Sequence, residues 1–270
     1  MKQKATHYLL IGLKVIDKIS DPYPIIIYSN LLDEPQIHEL EKCLSTKETT
    51  FDKTVMGNRK TLLKGTDNFE QFINRNEIGQ NINNFFENIE VFNFFYKNLQ
   101  KLNLGNSERF DFKNKNFKFL KNYIKRNNSL SFRLKNKFTK TLISIKNCCG
   151  VYCDFDFSAA GTGYEREPHH DVEERIVNFL YYVNDFDGSN GGNFQIFKYK
   201  NEPVNYVRQP ELNDVEILKN LKPQKGHLVT FLSTPSSLHG VDTIKSTMEK
   251  RYFFYGSYTS INKVDWKKII

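Results

Sequence analysis

The sequence predicts an α+β protein, with helices first and an antiparallel β-sandwich or barrel after them, on three observations. Apolar residues advance by three and four over two segments of the first hundred positions. After Gly150 the period falls to two, and turn-forming residues recur every ten or so positions. A stretch rich in Lys and Asn separates the two regions. With 270 residues, 39% of them hydrophobic and 26% charged, and with 23 Phe and 14 Tyr, the chain can fill one large core and is neither disordered nor fibrous.

Taken in order, the run from Pro22 to Ser29 predicts a strand, because β-branched residues are bounded by prolines and then by Asn30. Asp33, with Gln36 three residues on, forms a capping-box signature for a helix whose buried face carries Ile37, Leu40 and Leu44. From Glu77 to Leu102, Ile78, Ile82, Phe85, Phe86, Ile89, Phe92, Phe95 and Leu99 form one helical stripe, with Gly105 just past its end. This stripe reads as a packing face against a sheet. Strands are predicted near Val151–Phe157, Arg175–Asn184, Asn193–Lys198, His227–Leu232, Ser237–Ile244 and Arg251–Thr259. Asp187-Gly188 and Gly191-Gly192 predict a hairpin between the second and third of these.

Several function classes fall away. No apolar run approaches the roughly 20 residues of a membrane helix, so no membrane partner is expected. The short run Tyr8–Leu13 is followed by Lys14 with no small-residue cleavage site, which argues against a secretory leader. Cys43, Cys148, Cys149 and Cys153 contain no C-x-x-C pair and fit free thiols in a reducing cytosol, so a cytoplasmic location is expected. No G-x-x-x-x-G-K-[ST] loop is present for nucleotide hydrolysis. The net charge of +8 is concentrated between Asn106 and Asn147, where 12 Lys and Arg face Glu108 and Asp111. The remainder of the chain is therefore slightly acidic, and the basic stretch could meet phosphates or another anionic partner.

The chemistry lies in Glu167-Pro168-His169-His170-Asp171, followed by His239 and Arg251. On a strand, residues two apart share a face, so His169 and Asp171 can present an imidazole nitrogen and a carboxylate oxygen to one point. A second histidine from a distant strand would complete a two-His-one-carboxylate set, which leaves open coordination positions and suits non-haem Fe(II). An isolated H-x-D arises readily by chance, so its context has to decide.

That context is an ordered series: Pro168-His169-His170-Asp171, Leu180-Tyr181-Tyr182-Val183-Asn184, Gly191-Gly192, Pro223 with Gly226 to Phe231, Leu238-His239-Gly240-Val241, and Arg251. The series resembles the Fe(II)- and 2-oxoglutarate-dependent dioxygenases, in particular their prolyl-4-hydroxylase-like branch. The resemblance covers Val151 to Thr259 closely and reaches faintly to the N-terminal strand and helix. It implies a double-stranded β-helix (a jelly-roll or cupin-like barrel) in a single oxygenase domain. Residues 1–105 would be N-terminal strand and supporting helices, 106–149 a basic insertion, 150–260 the β-helix core and 261–270 a tail. It further implies His169, Asp171 and His239 as iron ligands, and Arg251 as partner of the 2-oxoglutarate C5 carboxylate through its planar fork. The cofactors implied are Fe(II), 2-oxoglutarate as cosubstrate and O2, with ascorbate a candidate reductant. The reaction implied is hydroxylation of an unactivated C–H bond with release of succinate and CO2.

The rival residues are placed as follows. His170 should face the opposite side of the strand from His169, and His227 occupies a position that varies in the family, whereas His239 precedes Gly-Val as the family ligand does. His7 and His38 lie in no motif, and Lys250 alternates to the face opposite Arg251. The tyrosine that the family often uses on the C5 carboxylate falls on Ala160, so Tyr182, Tyr181 and Thr230 are the candidates for that contact. Asp171, where a halogenase has a small residue, argues against halogenation. The expected substrate is a peptidyl proline or lysine or a small metabolite, anionic if the basic stretch recruits it. A nucleic-acid demethylase is disfavoured, because that branch carries a second arginine where Ser257 stands here. From another class, a catalytically silent β-helix used as a binding module is the alternative reading.

Overall fold

The later strands carry apolar residues on both faces, and the computed structural model shows why: helices cover one face of the main sheet and a second sheet covers the other. The structure describes residues 10–53, 58–103, 109–112, 117–124, 148–201, 207–245, 249–264 and 266–269. In chain order the elements are β1 (Lys14–Ile19), β2 (Ile25–Ser29), α1 (Glu34–Ser45), β3 (Asp52–Lys53), β4 (Arg59–Leu63), α2 (Asp67–Arg75), α3 (Glu77–Phe86) and α4 (Ile89–Asn103). They continue with β5 (Arg109–Phe112), β6 (Phe117–Phe119), β7 (Cys149–Ala160), β8 (Arg166–His169), β9 (Arg175–Tyr182), β10 (Phe194–Tyr199) and β11 (Val215–Leu221). Last come β12 (Leu228–Leu232), β13 (His239–Val241), β14 (Arg251–Ser260) and β15 (Trp266–Ile269).

The main sheet runs β1-β2-β12-β9-β14-β7-β4-β3 and the facing sheet β11-β10-β13-β8, so the chain crosses between sheets repeatedly, as a double-stranded β-helix does. Period-two alternation sorts the main-sheet side chains. Phe155 and Phe157 of β7, Phe179 and Tyr181 of β9, and Phe254 and Tyr258 of β14 join the helices in one core. Leu180, Tyr182, Val229, Phe231 and Phe253 point the other way into the barrel, where they meet Phe194 and Ile196 of β10. Phe86 of α3 stacks on Phe179 at 4.1 Å between centroids, which fixes the helical layer against the centre of the sheet.

The predicted capping box is present: Asp33 accepts from Gln36 N at 2.9 Å, and Gln36 Oε1 accepts from Asp33 N at 3.0 Å. The single helix expected over Glu77–Leu102 is instead two, α3 and α4. The chain turns at Glu87, whose side chain is buried in an ion pair with Lys64 and accepts from Asn122 N at 2.8 Å. Helical periodicity continues through the turn, but this buried carboxylate is a tertiary event. The helix α2 gave no long periodic signal and is nucleated by Thr66, which caps Phe69 N.

The expected hairpin between Arg175–Asn184 and Asn193–Lys198 does not form, because β9 lies in the main sheet and β10 in the facing one. Its turn residues make a crossover, with Gly188–Asn190 in a 3-10 turn and Gly191 and Gly192 at φ of +83° and +78°. A Cβ at Gly191 would sit 1.9 Å from the Thr243 carbonyl oxygen, so only glycine fits. Strand β8 lies on the segment expected to carry His169 and Asp171 but stops at His169, and β11 lies outside the expected strands. The first contains Glu167 and Pro168, and the second is an edge strand solvated along most of its length.

Of the basic stretch, Phe117–Phe119 pairs in parallel with Cys149–Val151 of the main sheet, and Arg109–Phe112 pairs with Trp266–Ile269. Leu120 and Tyr123 pack on Tyr152 and Ile261. Residues 113–116 and 125–147, where most of the predicted insertion falls, lie outside the described residues. None of the described helices is long and apolar enough to cross a membrane.

Candidate active site

Strand β8 delivers His169 and β13 delivers His239, and the two are directly paired in the facing sheet. Asp171 lies just beyond the end of β8, in the loop that leads to β9. The expectation that His169 and Asp171 share one strand is thus corrected: β8 ends at His169, and the loop carries the carboxylate back over the histidines. One ligand-capable atom from each of His169, Asp171 and His239 lies within 4.8 Å of the others. His239 Nε2 is 3.6 Å from Asp171 Oδ2, and the two imidazole rings are 4.4 Å apart between centroids.

Backbone carbonyls hold the other ring nitrogens. His169 Nδ1 lies 2.8 Å from the Glu167 carbonyl oxygen and His239 Nδ1 lies 3.0 Å from that of Ser237. A carbonyl can only accept, so each Nδ1 carries the proton and each Nε2 keeps its lone pair. Burial holds both histidines below their ordinary range, His169 to about 3 with His239 adding to the effect there, while Arg175 and Arg166 add to the lowering at His239. Burial alone would raise the Asp171 pKa, but Arg175, His239 and His169 outweigh it and lower the carboxyl to about 2. The cluster is therefore two neutral imidazoles and a carboxylate, the donor set that divalent iron accepts.

The carboxylate is itself clamped. Arg175 Nη1 donates to Asp171 Oδ1 at 2.6 Å, and the Tyr255 hydroxyl lies 3.3 Å from both carboxylate oxygens. Arg175 also donates to the Tyr255 hydroxyl, so Tyr255 has its own proton free for Asp171. With Oδ1 committed to Arg175, Oδ2 is the oxygen turned to the histidines. Neither residue was singled out from the sequence. Arg175 lies four residues after Asp171 and could have been suspected on that ground, whereas Tyr255 comes from β14 and had no signal.

Arg251 opens β14 inside the barrel and is 1% exposed. Its guanidinium lies 5.4 Å from the Tyr164 ring centroid, 5.9 Å from that of Tyr182 and 4.7 Å from that of Phe253, and its Nη1 donates to the Gly192 carbonyl. Burial disfavours its charge, and no carboxylate pairs with it among the described residues. Among the described residues its Nε has no hydrogen-bond partner, and neither has the buried Tyr182 hydroxyl beside it. A buried cation with an unused donor next to an unused hydroxyl fits an anionic ligand that supplies the missing acceptor.

The other sequence candidates separate cleanly. Tyr182 faces the barrel beside Arg251, whereas Tyr181 stacks on Phe254 on the helical side at 4.8 Å. Thr230 is corrected: it points with Leu228 and Leu232 toward the helices and donates to the Ile26 carbonyl at 3.1 Å, so it does not face the cavity. Its alternation relative to Val229 and Phe231 would have revealed this. Tyr164, which lines the cavity close to Arg251, was overlooked. His170 turns away, with Nε2 3.1 Å from the Tyr199 hydroxyl, and His227 precedes β12 and does not line the cavity. Ala160 lies between Arg251 and Arg59 in the strand register, so its small side chain leaves room between two guanidinium groups.

The cavity has a volume of about 290 Å³ and holds His169, Asp171, His239, Tyr164 and Arg251. A hollow of about 770 Å³ adjoins it and shares Asp171, Val172 and Arg208.

Residues 155–257 match the family described as the 2OG-Fe(II) oxygenase superfamily. No curated protein matches the chain. Among solved structures, the chain is similar to a prolyl hydroxylase in complex with a hypoxia inducible factor oxygen degradation domain peptide fragment from Trichoplax adhaerens. That pair is 13% identical, with a TM-score of 0.49, over 96% of this chain and 90% of the other. The chain is also similar to a Pseudomonas putida prolyl-4-hydroxylase, at 13% identity and a TM-score of 0.41 over 96% of this chain and 98% of that one. A viral collagen prolyl hydroxylase from Paramecium Bursaria Chlorella virus-1 shows 11% identity and a TM-score of 0.40, over 89% of this chain and 98% of that one. The matched segment contains the His169, Asp171 and His239 cluster and Arg251. Residues 155–257 are a domain of the 2OG-Fe(II) oxygenase superfamily, and the chain is a dioxygenase that works with Fe(II), 2-oxoglutarate and O2.

Proposed function

We propose that this chain is a hydroxylase of the prolyl-4-hydroxylase-like branch. His169, Asp171 and His239 hold Fe(II), and Arg251 holds the C5 carboxylate of 2-oxoglutarate. The observation that supports this most is the presence, in one cavity, of the His-Asp-His cluster and a buried guanidinium that forms no ion pair among the described residues. Bound iron would supply oxygen activation coupled to decarboxylation of 2-oxoglutarate to succinate and CO2, the redox step that no side chain here can perform.

The protein's own part is positioning. The Glu167 and Ser237 carbonyls orient the two imidazoles, and Arg175 and Tyr255 orient the carboxylate. Arg251 is positioned by the Gly192 carbonyl and by aromatic rings, and Tyr182 and Tyr164 are placed to share the carboxylate it binds. Leu180, Phe194 and Val241 line the same cavity and exclude water around the reacting carbon. The target is an unactivated C–H bond of a peptidyl proline or lysine or of a small metabolite, in the cytoplasm. The test is Fe(II)-dependent conversion of 2-oxoglutarate to succinate without added substrate, followed by a screen of peptides and metabolites for oxygen incorporation. Absence of succinate, with the protein folded and iron present, would leave only the silent binding module.

A further inference from the structure

We propose that Arg166 and Arg208 receive an oxyanion, a carboxylate or a phosphate, carried by the primary substrate. This rests on the oxygenase reading of the cavity and adds the charge of the molecule to be hydroxylated.

Five arginines line the cavity, and three are already accounted for. Arg59 pairs with Asp156 at 2.6 Å, Arg175 pairs with Asp171 at 2.6 Å, and Arg251 is the group assigned to 2-oxoglutarate. Arg166 and Arg208 make no ion pair and no side-chain hydrogen bond among the described residues. With five guanidinium groups and two carboxylates, the cavity carries a surplus of three positive charges. Loading Fe(II) adds two and 2-oxoglutarate removes two, so the surplus survives the cofactors. An anionic substrate offsets it, and a neutral one does not.

The two arginines are also anchored on either side of the H-x-D segment. Arg166 belongs to β8, opposite Val241 in the register and three residues before His169. The Arg208 carbonyl accepts from His170 N at 2.8 Å, which ties its backbone to the same segment. Arg166 is partly buried, whereas Arg208 is exposed where the metal cavity meets the larger hollow. A group held between them therefore lies at the mouth, with the rest of the molecule directed at the cluster. Guanidinium forks hold carboxylate and phosphate in a defined orientation, and a site with apolar walls strengthens the contact.

The experiment uses full-length protein loaded with Mn(II) in place of Fe(II) and saturated with 2-oxoglutarate, so that Arg251 is occupied and no turnover occurs. Inorganic phosphate and acetate are titrated into the loaded protein and into R166Q and R208Q, and 2-oxoglutarate affinity is measured for all three. We expect saturable binding of at least one anion, weakened about tenfold by either substitution, with 2-oxoglutarate affinity within about twofold of the unaltered protein. The stronger of the two anions distinguishes a phosphorylated from a carboxylated substrate. No anion binding to the loaded protein, or binding that R166Q and R208Q leave intact, overturns the inference. So does a loss of 2-oxoglutarate affinity in these variants, which would make them cosubstrate ligands. Failure of the unaltered protein to take up Mn(II) and 2-oxoglutarate would sink the oxygenase reading itself, and the inference with it.

Discussion

His169 and His239 face each other across the β8–β13 ladder, and each gives its Nδ1 to the carbonyl two residues before it, Glu167 for one and Ser237 for the other. The repeated arrangement leaves two Nε2 lone pairs beside Asp171 without further adjustment. The same strand pairing that builds the sheet therefore sets the spacing of two ligands and the tautomer of both.

Removal of a ligand should abolish metal uptake. Asp171→Ala and His239→Ala are expected to weaken Mn(II) binding by at least about 100-fold, because a two-His-one-carboxylate site with one member missing offers only two protein donors. His227→Ala is expected to bind within about twofold of the unaltered protein. Isothermal titration under anaerobic conditions reads both, and a reversal of the two histidine phenotypes would refute the ligand assignment.

Arg175 should act through Asp171. Arg175→Ala is expected to lower metal affinity by about 10- to 100-fold, the usual cost of losing an orienting partner, with a smaller loss for Tyr255→Phe. Arg175→Lys keeps the charge without the fork and should recover part of the loss. Equal affinities for all three variants would mean that the clamp is incidental.

Cosubstrate and metal affinities should separate at Arg251. Arg251→Gln is expected to raise the KM for 2-oxoglutarate strongly, since loss of a buried charge-assisted contact costs about 2 to 5 kcal/mol, while Mn(II) affinity changes little. Tyr182→Phe and Tyr164→Phe, measured alongside, identify which hydroxyl shares the carboxylate. Parallel losses of metal and cosubstrate in the Arg251 variant would point to misfolding, which far-ultraviolet dichroism would reveal.

Acid should destabilise the metal-free protein. Burial lowers His169 to about 3 and His170 to about 4, and it lowers His239 as well, so the unfolded chain binds protons that the folded chain refuses once pH falls below about 6.5. Each such histidine removes about 1.4 kcal/mol per pH unit within its window. Asp171, held at about 2, adds a loss of the same sign below pH 4. Urea midpoints should therefore decline from pH 7 to pH 4. A midpoint constant across that range would contradict the burial of these imidazoles.

The Lys64–Glu87 pair should carry structural weight, since both side chains are buried and Lys64 Nζ also donates to the Cys153 carbonyl at 2.9 Å. Lys64→Met leaves Glu87 charged and uncompensated, for an expected loss of about 3 to 5 kcal/mol in chemical unfolding. The double variant Lys64→Met, Glu87→Leu should recover much of it. Full stability in the single variant would show that the pair is dispensable.

By itself the sequence determined the helical layer, the period-two region and the order His169, Asp171, His239, Arg251, because amphipathic periodicity and residue chemistry are local properties. The capping box at Asp33 was legible for the same reason: its hydrogen bonds close within three residues. Only the tertiary structure decided which partners each site residue meets. The break at Glu87 depends on Lys64 and Asn122 from distant segments, and the missing hairpin after β9 depends on two sheets sharing one barrel. The clamp of Tyr255 on Asp171 joins residues 84 positions apart, and Arg166 and Arg208, without an ion pair among the described residues, are recognisable only once Arg59 and Arg175 are seen to have claimed the carboxylates of the cavity. Charge compensation in a closed cavity is a sum over strands from the whole chain, which no local window contains.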